Sequence, residues 1–124
     1  MKAGKIANPE FHKALMKLSN QDIPIKAAKE ILLTLRRVKD ATDEYHKERI
    51  KLLTENSEKD DKGEVKLDDK ENFIVDKDKQ AIVNEGLVKL MSKDIELGSI
   101  SIKDLEEARL SAQEFSLLED LVSK

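Results

Sequence analysis

The stretch "IPIKAAKEILLTLRRVKDATDEYHKERIKLLTEN", from Ile23 to Asn56, decides the fold class. After Pro24 it contains no glycine or proline, so we predict one uninterrupted helix from about Ile25 to about Thr54. Such a helix is about 45 Å long. A compact domain of this chain length measures only about 35 Å across. The helix therefore projects beyond its own domain unless another element packs on its end.

A heptad-like seam runs along this predicted helix, with alternating spacings of four and three residues that indicate a weak coiled coil. Its members are Ile31, Leu35, Val38, Thr42, Tyr45, Arg49 and Leu52. We predict that its apolar members form an interface, with a second copy or with another protein. These are Ile31, Leu35, Val38, Tyr45 and Leu52. The alternative is that the rest of the chain covers the seam within one monomer.

Composition limits the possible functions. The 124 residues suit a single domain, 1–124, without internal repeats. A net charge of −3 gives no basic field for nucleic acid, and the absence of cysteine excludes disulfides and thiolate catalysis. Aromatic residues are 3%, which disfavours base-stacking surfaces. No apolar run is long enough for a membrane span, so we expect the bacterial cytoplasm or a virion as location.

The elements before the long helix carry clear capping signals. Asn8 is a good N-cap, and Pro9 fits the first position of a helix that buries Phe11 and its apolar neighbours. Asp22 is the expected cap of the long helix. The two helices together predict a helical hairpin.

The highly charged stretch from Ser57 to Lys79 reads as a β-hairpin. Val65 and Leu67 alternate with polar residues, as do Phe73 and Val75, and "DDKEN" between them is typical of a turn. A lone hairpin is marginal in water, so it should pack on helices or pair with another strand.

The remaining elements complete a predicted α+β fold that is mainly helical. A third helix, "DKQAIVNEGLVKLMSK", has an apolar stripe of Ile82, Val83, Leu87, Leu90 and Met91. One or two short strands follow in "DIELGSISI", with a turn or bulge at Gly98. Ser111 and Glu114 form a capping box for a last helix, Ala112 to Val122, and Leu110 with Phe115 forms a hydrophobic staple.

The candidate catalytic and metal-binding residues favour no enzyme, cofactor or metal. A calcium loop around Gly63 would place Lys62 at a ligand position. His12 and His46 are the only histidines, and nothing in the sequence presents an activated nucleophile beside them. Acidic residues are so frequent that no single pair indicates acid–base catalysis. The interspersed charges of the long helix favour i,i+4 pairing on a solvated face.

The order of these elements resembles a family of small tailed-phage proteins of unknown function. The similarity lies in Ile23-Pro24, the helix ending "RIKLLTEN", then "EKDDKGEVKLDDKENFIV", "DIELGSISIKDLE" and "LSAQEFSLLEDL". Asn56-Ser57 departs from it, because a tyrosine-glycine pair is common there. The resemblance implies phage or prophage origin and supplies no catalytic residues.

We therefore expect a small phage-encoded, non-catalytic protein that acts by stoichiometric protein–protein interaction. It would serve virion or tail assembly, or inhibit a host defence component, and its partner would be itself, a phage structural protein or a host protein. The alternative is a sponge that sequesters a nucleotide-derived immune signal. It would need a basic pocket, for example at an oligomer interface, with phosphate ligands from among Arg36, Arg37, Arg49 or Arg109.

Overall fold

Five α-helices form most of residues 1–123, the part of the chain that the computed structural model describes. They are α1 (Ala3–Ile6), α2 (Pro9–Ser19), α3 (Ile25–Asn56), α4 (Gln80–Ser92) and α5 (Ala112–Leu118). Two short strands, β1 (Ile100–Ser101) and β2 (Val122–Ser123), pair in parallel, with Ile100 opposite Val122. The predicted α+β, mainly helical fold is confirmed.

Helix α2 begins as its sequence predicts. The Asn8 side chain accepts a hydrogen bond from the Glu10 backbone N–H at 2.9 Å, and Pro9 occupies the first turn. Phe11 and Leu15 are completely buried on one face, with Ala14 and Leu18 beside them. The short helix α1 before it was not predicted, since four residues give too little periodicity.

Helix α3 starts at Ile25, as predicted, but Asp22 does not cap it. Pro24 is the N-cap residue and no side chain bonds to the first turn. The helix continues past Thr54 to Asn56. Side chains bond to carbonyls of its last turns: Asn56 Nδ2 donates to the Leu52 carbonyl at 2.8 Å, and Ser57 Oγ donates to that of Leu53.

One apolar core joins these helices to the C-terminal strands. Its buried members are Ile6, Phe11, Ala14, Leu15, Leu18, Ile31, Val38, Leu97, Ile100, Leu118 and Leu121. The interface predicted along α3 is corrected here, because Ile31 and Val38 are each 1% exposed and belong to this core. Leu35, Tyr45 and Leu52 are half-buried. The chain itself therefore covers much of the seam that the heptad pattern assigned to a partner.

Residues 56–79 form a closed three-arm β hub between α3 and α4. Three backbone hydrogen bonds close a ring: Glu58 N–H donates to the Ile74 carbonyl at 2.7 Å, Ile74 to Lys66 at 3.3 Å, and Lys66 to Glu58 at 2.9 Å. The predicted hairpin is present as the antiparallel bridge Leu67–Phe73. A third arm, from Asn56 to Asp60, bridges to both of the others and was not predicted.

The hub repeats every eight residues, which corrects the expectation of no repeats. Asp60, Asp68 and Asp76 occupy equivalent positions, and their carbonyls accept from the N–H groups of Gly63, Glu71 and Lys79 at 2.9–3.0 Å. Their own N–H groups donate to the carbonyls of the residues that begin the arms: Glu64, Asn72 and, across the closure, Asn56. The third turn differs because it continues into a 3-10 turn, Lys77–Lys79, and then α4.

Helix α4 packs along the second half of α3 through a glycine. A Cβ on Gly86 would lie 2.6 Å from Leu52 Cδ2, so the missing side chain lets the helices approach. Of the apolar stripe predicted for α4, only Val83 is buried, and Ile82 and Met91 are 54% and 42% exposed. The stripe prediction is thus wrong for these two.

The C-terminal segment confirms the capping box. The Glu114 N–H donates to Ser111 Oγ at 3.1 Å, and the Ser111 N–H donates to Glu114 Oε1 at 2.9 Å. The last helix is shorter than predicted: a 3-10 turn, Glu119–Leu121, follows Leu118, and Val122 lies in β2. Gly98 has a φ of 85°, as its predicted turn requires. None of the helices within residues 1–123 is long and apolar enough to cross a bilayer.

Candidate functional site: a groove with an acidic rim

An open groove of about 320 Å³ lies between α3 and residues 90–96. We call it the acidic groove. Its floor is apolar and consists of Ala3, Ala41, Tyr45, Leu90 and Ile95. Its rim carries Arg37, Asp40, Glu44, Glu48, Lys93 and Glu96. The rim thus holds four carboxylates against two cations.

The wall opposite α3 is fixed by the beginning of the chain. The Met1 ammonium donates to the Ile95 carbonyl at 3.0 Å, and the Ile95 N–H donates to the Met1 carbonyl at 2.8 Å. The Ala3 N–H bonds to the Lys93 carbonyl at 2.9 Å. On the other side, Arg37 Nη1 donates to the Leu97 carbonyl at 3.0 Å, which ties α3 to this wall. These hydrogen bonds tie residues 93–97 to the start of the chain and to α3.

The carboxylates of the α3 wall are regularly spaced and unpaired. Asp40, Glu44 and Glu48 follow one another at four-residue intervals, about 6 Å apart along the helix axis. None of the three makes a salt bridge or a side-chain hydrogen bond with any residue in the range 1–123. The i,i+4 pairing that the sequence suggests for α3 is absent from its described contacts. These charges are available to another molecule.

A second hollow of about 250 Å³ continues the groove along α3 and α4. It shares Glu48 and Leu90 with the first and is otherwise lined by Lys51, Leu52, Glu55, Gly86 and Lys89. Arg37 and Glu55 are 18 residues apart on α3, so the two hollows follow about 27 Å of helix. Tyr45 and Leu52, both named in the interface prediction, therefore line an accessible surface.

Another groove, of about 320 Å³, lies between α2 and α3. Leu35 lines it together with Met16, which is 51% exposed. His12 Nε2 lies 3.4 Å from Thr42 Oγ1 here, and the His12 ring packs edge-on against Phe11. Leu35 thus faces a different surface from Tyr45 and Leu52, and the seam does not act as one stripe.

The four arginines of the sponge hypothesis do not converge. Arg36 and Arg37 are neighbours on α3, but Arg37 bonds to the Leu97 carbonyl. Arg49 lies about 18 Å further along the helix. The Arg109 backbone contacts Gln21, four residues before α3 begins. No single phosphate site among the described residues includes all four.

The remaining candidate chemistry lies outside the groove. His46 is exposed and packs edge-on against Tyr45. Within residues 1–123, no three His, Asp or Glu side chains come together as metal ligands. A hydrogen bond from Lys2 lowers the pKa of Asp94, and one from Lys17 lowers the pKa of Glu114. Both are surface ion pairs that join distant parts of the chain.

Comparison of the chain with protein-family models, with curated protein sequences and with solved structures finds no match in any of the three. The candidate site therefore stands on its own geometry. Sequence reasoning missed it because its two walls are some fifty residues apart. The four-residue spacing of Asp40, Glu44 and Glu48 was visible, but it was assigned to pairing within the helix.

Proposed function

We propose that this chain is a small phage-encoded, non-catalytic binding protein that acts by stoichiometric interaction with another protein. The acidic groove is the observation that carries the proposal. It combines an apolar floor with unpaired carboxylates, and such a surface suits a protein segment with apolar and polar sides. The phage origin rests on the order of the sequence motifs, which resembles small tailed-phage proteins.

Two biological settings fit this proposal, namely virion or tail assembly and inhibition of a host defence component. Both place the protein in the bacterial cytoplasm or the virion. The nucleotide-sponge alternative has less support, because its four arginines lie at separate places along α3 and the C-terminal segment. The identity of the partner decides between the two settings.

Affinity capture tests the proposal. The chain has no cysteine, so Asp22→Cys, at an exposed position, gives a unique attachment point. Lysates of phage-infected bacteria are passed over the wild-type protein and over Tyr45→Ala, which removes the largest side chain of the groove floor. Ile25→Ala is the matched control, since Ile25 is 88% exposed and lies outside the groove.

We expect a protein retained in about a one-to-one ratio by the wild type and by Ile25→Ala, and lost from Tyr45→Ala. Circular dichroism melts of all three variants check that the fold is intact. Retention that is equal on all three, or no stoichiometric partner at all, would contradict the proposal.

Self-association through α3 stays a prediction, with its surface redefined. Val38 lies in the core, so a charge there would unfold the protein rather than test an interface. Leu32 is 50% exposed and one turn before Leu35, so Leu32→Glu is the suitable variant. Light scattering should show an oligomer for the wild type that this variant dissociates while its helicity is unchanged.

A further inference from the structure

We propose that the acidic groove binds a basic amphipathic helix of the partner protein. The apolar side of that helix would lie on the groove floor, and its lysines or arginines would face Asp40, Glu44 and Glu48. This inference rests on the function proposed above and specifies the chemistry of the partner. Three observations support it. The rim has more negative than positive charges, its three α3 carboxylates recur every four residues, and none of these carboxylates is paired within residues 1–123.

The spacing of the carboxylates matches a helix. They recur every four residues on α3, and basic residues at four-residue intervals on a helix lying alongside recur at the same distance of about 6 Å. Three ion pairs can therefore form in one register. An extended segment would need a sheet edge for its backbone groups, whereas a helix satisfies its own. The α3 wall offers no such edge.

Two cations, Arg37 and Lys93, share the rim with the carboxylates, and neither forms a salt bridge with Asp40, Glu44 or Glu48 within residues 1–123. Arg37 instead donates to the Leu97 carbonyl at 3.0 Å. Two lysines, Lys51 and Lys89, line the second hollow, and Lys89 pairs with Glu85 at 3.5 Å. A few acids elsewhere are paired with lysines, as in Lys5–Asp120 at 2.7 Å. Asp40, Glu44 and Glu48 thus form a row of three unpaired carboxylates beside the apolar floor of the groove.

The fluorescence of Tyr45 can report binding in the groove. It is the only tyrosine, the chain has no tryptophan, and its ring lies on the groove floor. Two synthetic helical peptides without tyrosine or tryptophan serve as probes. They share one leucine pattern and carry either lysine or glutamate on the polar side. Each is titrated into the wild-type protein while Tyr45 fluorescence is recorded.

We expect saturable one-to-one binding of the lysine peptide, weaker at higher salt, and no binding of the glutamate peptide. Glu44→Lys combined with Glu48→Lys should raise the Kd about tenfold or more. Glu106→Lys combined with Glu107→Lys is the matched control, because it changes the net charge equally at exposed residues that do not line the groove. Its Kd should stay within about twofold of the wild type.

Three results would overturn the inference: equal binding of both peptides, equal weakening by both double variants, or binding that leaves Tyr45 fluorescence unchanged. A wild-type dimer that Glu44→Lys with Glu48→Lys dissociates would also overturn it, since the occupant would then be a second copy. Its failure is distinguishable from failure of the proposed function. A captured partner that depends on Tyr45 but contacts the groove through an acidic segment would refute only this inference.

Discussion

The helical core and the β hub are two regions of one chain that are held together in different ways. In the core, Phe11 and Leu15 are completely buried, and the helices associate by excluding water from such side chains. In the hub, Ser57 is the only buried residue, and no side chain from Glu58 to Ile82, all of them described, is fully buried. The hub is instead closed by a ring of backbone hydrogen bonds at Glu58, Lys66 and Ile74.

This difference determines which changes each region tolerates. The core depends on the volume and polarity of its side chains, so it should be sensitive to truncation. The hub depends on its turns, where Gly63 and Glu71 have φ values of 78° and 63°. It should tolerate changes of exposed side chains and respond to changes of turn conformation. The hub also connects α3 to α4, so its geometry decides where the second wall of the groove begins.

The largest expected effect comes from truncating the core. Leu15→Ala should lower the free energy of unfolding by about 2–5 kcal/mol, because it removes a fully buried side chain and leaves a cavity. Leu67→Ala makes the same chemical change in the hub, at a side chain that is 51% exposed. It should stay within about 0.5 kcal/mol of the wild type. Urea unfolding followed by circular dichroism measures both.

Comparable losses for the two leucine variants would show that the hub buries Leu67 against something in solution. The distinction between a packed core and a hydrogen-bonded hub would then be wrong. Equal m-values for wild type and variants serve as the control that the unfolding transition itself is unchanged.

The core was largely predictable from sequence because its signals are local. Asn8 and Pro9 fixed the start of α2, and the capping box at Ser111 fixed the start of α5. The seam on α3 located Ile31 and Val38 correctly as apolar positions, yet it could not say which molecule covers them. Periodicity reports that a face is buried. It does not distinguish burial in the core from burial against a partner.

The hub and the groove were not predictable in this way. The first hub arm, Asn56 to Asp60, has no apolar residue, so alternating hydrophobicity could not reveal it. Its signal was the eight-residue recurrence of Asp60, Asp68 and Asp76. The groove depends on the approach of α3 to residues 90–96, which follows from tertiary packing. Gly86 permits that approach because it has no side chain, but the sequence around it does not indicate that another helix packs there.

Gly63 and Gly98 both have a positive φ, but their surroundings differ. Gly63→Ala should cost about 1–2 kcal/mol, for the backbone alone, because no atom lies within 4 Å of the added Cβ. Gly98→Ala also forces a residue with a Cβ to adopt a positive φ. In addition, its Cβ would lie 2.7 Å from Arg37 Nη1. It should therefore cost more, since the bond from Arg37 to the Leu97 carbonyl is disturbed. Urea midpoints rank the two variants, and the reverse order would contradict this account.

If the eight-residue repeat makes the hub turns structurally equivalent, the same substitution in two of these turns should have the same effect on stability. Asp60 Oδ1 accepts from the N–H groups of Lys62 and Glu64 at 2.9 Å, and Asp68 Oδ1 accepts from those of Lys70 and Asn72 at 2.8 and 2.9 Å. Each Asp→Ala variant should cost about 1 kcal/mol. In either variant, amide exchange should accelerate at Glu58, Lys66 and Ile74 together. Acceleration confined to the altered turn would show that the ring does not open as a unit.

The smallest effect concerns the ion pair between Lys17 and Glu114, which joins α2 to α5 at 2.8 Å. The hydrogen bond from Lys17 lowers the pKa of Glu114 in the folded chain. A lowered carboxylate pKa adds stability that is fully present above the unfolded pKa, about 4.3. It is lost as the pH falls through the folded pKa. Glu114→Gln keeps the shape of the capping box but removes the charge. We expect a slightly lower Tm than wild type at neutral pH and a difference that vanishes in acid. In a Lys17→Met background the neutral-pH difference should shrink, and a difference that persists unchanged there would assign the effect to the capping box instead.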